Sequence, residues 1–120
     1  MNEVKLHVER LDTFFDEAME MAKRLDRGED VRGETHISVE SMERLLKLLT
    51  PNRWVLLREL RARKRSSIRA LARALERDYR GVHADVTALA SAGLIKRAPD
   101  GAVSVPWSRI SAEMALDTAA

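Results

Sequence analysis

Two apolar stripes in tandem, separated by one capping signal, constrain this chain more than any other feature. They lie in SSIRALARALERDYRGVHADVTALASAGL, residues 66–94. Ile68, Leu71, Ala72 and Leu75 fall at i, i+3, i+4 and i+7, so they share one face of a short helix, and Ser66 or Ser67 supplies its N-cap. Asp78 caps a second helix, whose inner stripe is Val82, Val86 and Leu89 and whose end is Gly93. Two helices this short must bury their stripes in a common core to be stable. The faces that remain outside are basic: Arg69, Arg73 and Arg77, spaced by four, on the first and Arg80 at the start of the second.

Charge is segregated along the chain. The net charge is only +2 over 120 residues. Residues 51–98, however, carry 12 Lys and Arg against 4 Asp and Glu, a balance of +8. Residues 1–50 stand at 8 against 12, and residues 99–120 at 1 against 3. A basic middle between acidic flanks points to a polyanionic partner for the middle alone. The chain has no cysteine, which excludes disulfide frameworks, thiolate metal sites and thiol nucleophiles and fits a reducing cytoplasm. No apolar run approaches the roughly 18 residues of a membrane span, and no signal-peptide pattern opens the sequence. The expectation is a cytoplasmic protein without a membrane partner.

Before the basic middle, Val4, Leu6 and Val8 alternate with Lys5, His7 and Glu9, which predicts a half-buried strand. Leu11, Phe14, Phe15, Ala18, Met21, Ala22 and Leu25 make one stripe of a helix of about four turns, with acids and bases on the other face. His36 to Glu40 alternates again, with Ile37 and Val39 on one side, as a second short strand able to pair with the first within the chain or across a dimer. Ser41 caps a helix over Met42 to Leu49. Thr50-Pro51 then starts a helix to Lys64: Thr is a good N-cap, and Pro suits the first helical position because its missing N–H has no partner there anyway. That helix is expected to bury Trp54, Leu57 and Leu60, with Leu56 flanking. After Gly93, the β-prone runs 94–98 and 102–105 flank Pro99-Asp100-Gly101, a turn triplet in which Pro presets φ, Asp bonds the local backbone and Gly takes positive φ. A hairpin follows. Trp107 is expected to return to the core and Ser108 to Leu116 to form a last short helix.

Helix, helix, turn, helix and hairpin from Thr50 to Pro106 is the order of a winged helix-turn-helix, in which the last helix enters the major groove and the hairpin reaches an adjacent phosphate or the minor groove. With Val82 inward, Arg80, Ala84, Thr87 and Ser91 point outward and His83 lies on the flank. Arg80 has the fork to read a guanine edge, and Thr87 suits a thymine methyl or a phosphate. Arg69, Arg73 and Arg77, with Lys96 and Arg97 on the hairpin, suit the phosphate backbone. Ser67 and Tyr79 complete the candidate DNA-binding set, although Tyr79 also has the shape to fill the turn between the helices. A basic helix face is more often a solubilising surface, but this one adjoins a second basic face and a basic hairpin. Nothing points to catalysis or to a cofactor. His7, His36 and His83 lie on separate elements without metal-ligand spacing, there is no phosphate-cradling glycine loop or G-x-S-x-G, and the carboxylates of residues 9–30 follow the polar side of a helix.

The segments LLKLLTPNRWVLLREL, SIRALARALERDYRGVHADVTALASAGLIKR and GAVSVPW resemble a group of small prokaryotic DNA-binding proteins belonging with the MarR-like winged helix-turn-helix regulators. The resemblance covers residues 37–110. It implies a transcriptional regulator and, because some of that group sit beside toxin-like genes, an antitoxin role as well. The chain departs from the group's pattern at Gly81 and Ala84, where larger polar residues are usual, which shifts base reading onto Arg80, His83 and Thr87.

The expected fold is therefore mainly α with a small β component: a winged helix-turn-helix with an N-terminal strand–helix extension. The expected division is 1–40 for a strand–helix–strand dimerisation or partner region, 41–110 for the DNA-binding domain and 111–120 for a tail. The dimer or partner surface is assigned to Val4, Leu6, Val8, Leu11, Phe14, Phe15, Ala18, Met21 and Leu25. The expected function is a homodimeric repressor that occupies a double-stranded operator, since a two-fold dimer doubles the few base contacts of one helix. The alternatives are an antitoxin that autoregulates its operon and masks a cognate toxin, and a protein-interaction adaptor that does not bind DNA.

Overall fold

A computed structural model describes residues 2–8, 19–20, 22–23 and 34–114. In chain order its elements are β1 (Glu3–Val8), β2 (Glu34–Val39), α1 (Met42–Leu48), α2 (Pro51–Arg63), α3 (Ile68–Leu75), α4 (Tyr79–Ser91), β3 (Lys96–Arg97), β4 (Val103–Ser104) and β5 (Arg109–Glu113). The fold thus mixes helices and strands. The chain forms two compact units, one contiguous over Leu46–Pro106 and one made of Met1–Leu45 with Trp107–Ala120. Residues 111–113, expected in a tail, are part of β5, and the segment beginning at Trp107 groups with the N-terminal residues rather than with Leu46–Pro106. Among the described residues, no helix is long and apolar enough to cross a membrane.

The discontinuous unit is built on a parallel sheet of order β2-β1-β5. The period-two pattern of β1 is realised as expected, with Val4 at 1% and Leu6 at 0% exposure. Register places Leu6 beside Ile37 and Ala112, and Val4 beside Thr35 and Ile110, so one face of the sheet is largely apolar. The opposite face carries Lys5, His7, His36, Ser38, Ser111 and Glu113. There Lys5 Nζ lies 2.9 Å from Glu113 Oε2, and the hydrogen bond from Lys5 holds the Glu113 carboxyl below its ordinary range. Pairing of the second strand with the first is therefore within the chain.

Two expectations fail in this unit. The last helix, foreseen over Ser108 to Leu116, is the strand β5. Nine residues make little more than two helical turns, which is marginal in isolation. The free edge of β1 offers those backbone groups a complete ladder instead, and Ser108 extends the connection by donating from its N and Oγ to the Asn2 carbonyl at 2.8 Å. Val4 and Leu6 were assigned to a partner surface, but both are core residues of the single chain and Val8 is half-buried. Of the same assignment, Leu11, Phe14, Phe15, Ala18, Met21 and Leu25 lie outside the described residues. Met19, Glu20, Ala22 and Lys23 have helical backbone.

The contiguous unit follows its local signals closely. Thr50 Oγ1 accepts from Arg53 N with Pro51 in the first turn, as Ser41 Oγ does from Arg44 N before α1 in the other unit. Ser67 rather than Ser66 caps α3, accepting from Ala70 N. Ser66 instead makes a two-hydrogen-bond antiparallel bridge to Val103, joining the α2–α3 link to the hairpin. Glu76, in the left-handed region, ends α3. Gly93 does the same after α4 at φ 90°, where Leu94 N reaches back to the Leu89 carbonyl. The core is Leu56, Leu57, Leu60, Leu71, Ala72, Val82, Val86, Leu89, Leu94, Ile95 and Val103. Trp54 is a correction, since it is 39% exposed while Leu56 is fully buried. Leu56, Leu57 and Leu60 set the inward direction of α2, and at about 100° per residue Trp54 then falls on the flank.

Candidate nucleic-acid interface

The cationic surface is built on α3, α4 and the β3–β4 hairpin. The inner stripe of α4 is completely buried, with Val82, Val86 and Leu89 all at 0% exposure. This fixes the rotation of the helix and leaves Tyr79, Arg80, His83, Ala84, Thr87 and Ser91 exposed. Asp78 starts the helix, its carboxylate accepting from Arg80 N at 3.2 Å. The burial of Leu71 and Ala72 turns Arg69 and Arg73 outward on α3.

Arg69, Tyr79 and His83 come together. The Arg69 guanidinium stands 5.4 Å from the centre of the Tyr79 ring, a cation–π contact, and the rings of Tyr79 and His83 are 5.8 Å apart. Tyr79 is therefore not a plug in the turn between the helices; it is exposed and joins the basic side of α3 to the start of α4. A surface hollow beside it is lined by Arg69, Ala72, Arg73, Glu76, Arg77 and Tyr79.

A second pair joins the hairpin to α4, where Arg97 Nη2 donates to Thr87 Oγ1 at 2.8 Å. Lys96 beside it is exposed. The hairpin turn has the chemistry its sequence announced. Gly101 takes φ 88° and its N–H reaches the Ala98 carbonyl, while Asp100 Oδ1 accepts from Ala102 N at 3.0 Å. That backbone hydrogen bond, helped by the Arg65 guanidinium that also pairs with Asp100, lowers the Asp100 carboxyl below its ordinary value.

Arg77 departs from the expected row. Helix α3 ends at Leu75 and Glu76 turns the chain, so the four-residue spacing from Arg73 no longer describes a helix face. The Arg77 guanidinium instead bonds Asp85 Oδ2 through Nη2 at 2.8 Å. The other carboxylate oxygen of Asp85 accepts from Arg53 Nε at 3.0 Å. Sequence reasoning missed both Arg53 and Asp85, although each left a signal. Arg53 precedes Leu57 by four and Leu60 by seven, so it lies on the inner side of α2. Asp85 follows Val82 by three and precedes Leu89 by four, at the edge of the inner stripe of α4, and is the one acidic residue of residues 79–98.

The sheet also places His7 and His36 edge to face, with ring centres 5.3 Å apart, a proximity their separation in sequence conceals. No cluster of three or more His, Cys, Asp or Glu able to hold a metal occurs among the described residues.

The HVO_A0114 family model matches residues 48–112, just over half of the chain. The chain belongs to the HVO_A0114 family. The match runs from the end of α1 through most of β5, so the HVO_A0114 region contains α2, α3, α4 and the hairpin entire. No curated protein and no solved structure matches the chain.

Proposed function

We propose that this chain is a double-stranded DNA-binding transcriptional regulator of the MarR-like winged helix-turn-helix kind, acting by binding rather than by catalysis. In this reading α4 enters the major groove, α3 lies along the backbone and the β3–β4 hairpin is the wing. The observation that carries it is the sorting of charge across these elements. Arg69, Arg73, Arg80, Lys96 and Arg97 are all exposed, while Asp85, the one acid on α4, is turned inward. Arg69 and Arg73 suit phosphates, and Arg80 and His83 at the start of α4 suit base edges. The hydroxyl of Thr87 and the guanidinium of Arg97 would act as a joined pair. The protein would bind as a two-fold dimer and repress by occupying its operator.

The test is duplex binding over a salt series with the purified chain. Neutralising about four or five phosphates predicts a slope of roughly −3 to −5 in log K against log salt. A slope near zero, or no duplex binding at low salt, overturns the reading. Sedimentation of the bound species at two protein copies per palindromic site supports the dimer, and one copy per site refutes it.

A further inference from the structure

We infer that Asp85 is a positioning residue that withholds Arg53 and Arg77 from the DNA backbone and so sharpens sequence discrimination by α4. This rests on the DNA-binding reading above. The four acids of residues 51–98 have different tasks. Glu59 pairs with Arg63 one turn away on α2, Glu76 ends α3 and Asp78 caps α4. Only Asp85 holds two guanidiniums, and they come from two other segments, α2 and the α3–α4 turn. Each of its oxygens takes one arginine, at 3.0 Å and 2.8 Å.

The cluster differs from a surface ion pair. The side chains of Asp85, Arg53 and Arg77 are 14%, 21% and 27% exposed, whereas those of Arg65 and Asp100 are 58% and 61% exposed. Solvent screens the latter pair and leaves its arms free to move; the former is held. Arg53 is fixed further, since its Nη1 donates to the carbonyls of Lys47 and Leu48 at 3.1 and 3.2 Å.

Two consequences follow for binding. Sequence-independent affinity grows with the number of phosphates neutralised. A carboxylate that occupies two cations lowers that number, while Arg80, His83 and the Thr87–Arg97 pair stay exposed. The same carboxylate ties α4 to α2 and to the turn before it, so Arg80, His83 and Thr87 are presented at one fixed angle. Discrimination rises because the non-specific background falls and the readers keep their geometry.

The experiment compares the full chain with its Asp85→Asn variant on two duplexes, one selected by the wild-type protein from a random library and one of scrambled sequence. Asparagine keeps the shape and removes the charge. The expected result is tighter binding to the scrambled duplex and a salt slope steeper by about 0.9 for each arginine released. The ratio of selected to scrambled affinity should fall about tenfold, within the range of one mismatched base pair. Equal losses on both duplexes with an unchanged slope would show a merely structural role and overturn the inference, as would no change at all. If Asp85→Asn does not fold by circular dichroism, Arg77→Met decides: an unchanged slope supports the inference, and a slope shallower by about 0.9 overturns it. Failure of the wild-type chain to bind either duplex overturns the DNA reading and this inference together. Normal wild-type binding with an indifferent Asp85→Asn variant overturns this inference alone.

Discussion

Within Leu46–Pro106, most packing joins elements close in sequence, α2 on α3, α3 on α4 and β3 on β4, although α2 also meets β4. The sheet of the other unit joins residues 3–8, 34–39 and 109–113. The contiguous unit carries the basic balance and a core drawn from every one of its larger elements. The discontinuous one is completed only when a distant strand closes on β1. Short-range assembly builds the cationic surface mainly from elements near one another in sequence, whereas long-range assembly makes the other unit sensitive to events at three separated places.

The largest effects should come from the two cores. Leu60→Ala and Leu6→Ala, both fully buried positions, are each expected to cost about 2–5 kcal/mol. In denaturant titrations followed by helical circular dichroism, Leu60→Ala should shift the main helical transition and Leu6→Ala should shift it less. Equal shifts would mean that the two units unfold as one and would break the comparison. Next in size is the contrast between exposed and clamped arginines. Arg73→Ala should weaken binding to all duplexes several-fold and make the salt slope shallower by about 0.9; a loss confined to one sequence would refute its backbone role.

Smaller effects test backbone chemistry in the contiguous unit. Gly101, at φ 88°, should lose about 1 kcal/mol on substitution by Ala even though an added Cβ would meet nothing within 4 Å. Gly81 is the opposite case. It sits inside α4 without positive φ, and an added Cβ would make only ordinary contact, 3.5 Å from Arg77 Nη2. Gly81→Ala should therefore raise thermal stability by roughly 0.5–1 kcal/mol, and a lower melting temperature would show that Arg77 cannot give way. The smallest effect concerns pH. A carboxyl lowered on folding stabilises at pH above its unfolded value and ceases to do so as pH falls through the folded value. Amide exchange at Ala102 should accordingly rise, relative to the rest of the hairpin, as the solution is acidified through the carboxylate range. Protection that persists in acid would show that the Asp100 cap is dispensable.

What could be read from the sequence divides along the same line. Thr50-Pro51, Ser67, Asp78, Gly93 and Pro99-Asp100-Gly101 act on backbone groups within a few residues, so their roles were legible in order. The stripe of α4 was legible because three buried residues fix its rotation. The strand β5 was not, because its partner lies about a hundred residues away and nothing local in SRISAE announces it. Trp54 was misassigned because hydrophobicity ranks residues without saying which way a helix turns, and Leu56, Leu57 and Leu60 together decide that. The Asp85 cluster was hidden for a related reason. Three segments contribute one side chain each, and the spacing of any one shows only that a charged group lies beside an apolar stripe.

The pairing of β1 with β5 also sets an order of events during synthesis. Glu3 lies beside Arg109, so the first strand leaves the ribosome about a hundred residues ahead of its second neighbour, an interval on the order of ten seconds at ordinary elongation rates. By then everything from α2 through the hairpin has been made and can have collapsed on its own core. For that interval one edge of β1 has no strand beside it, which leaves that edge open to mispairing or to a chaperone while the region from α2 through the hairpin can already have folded.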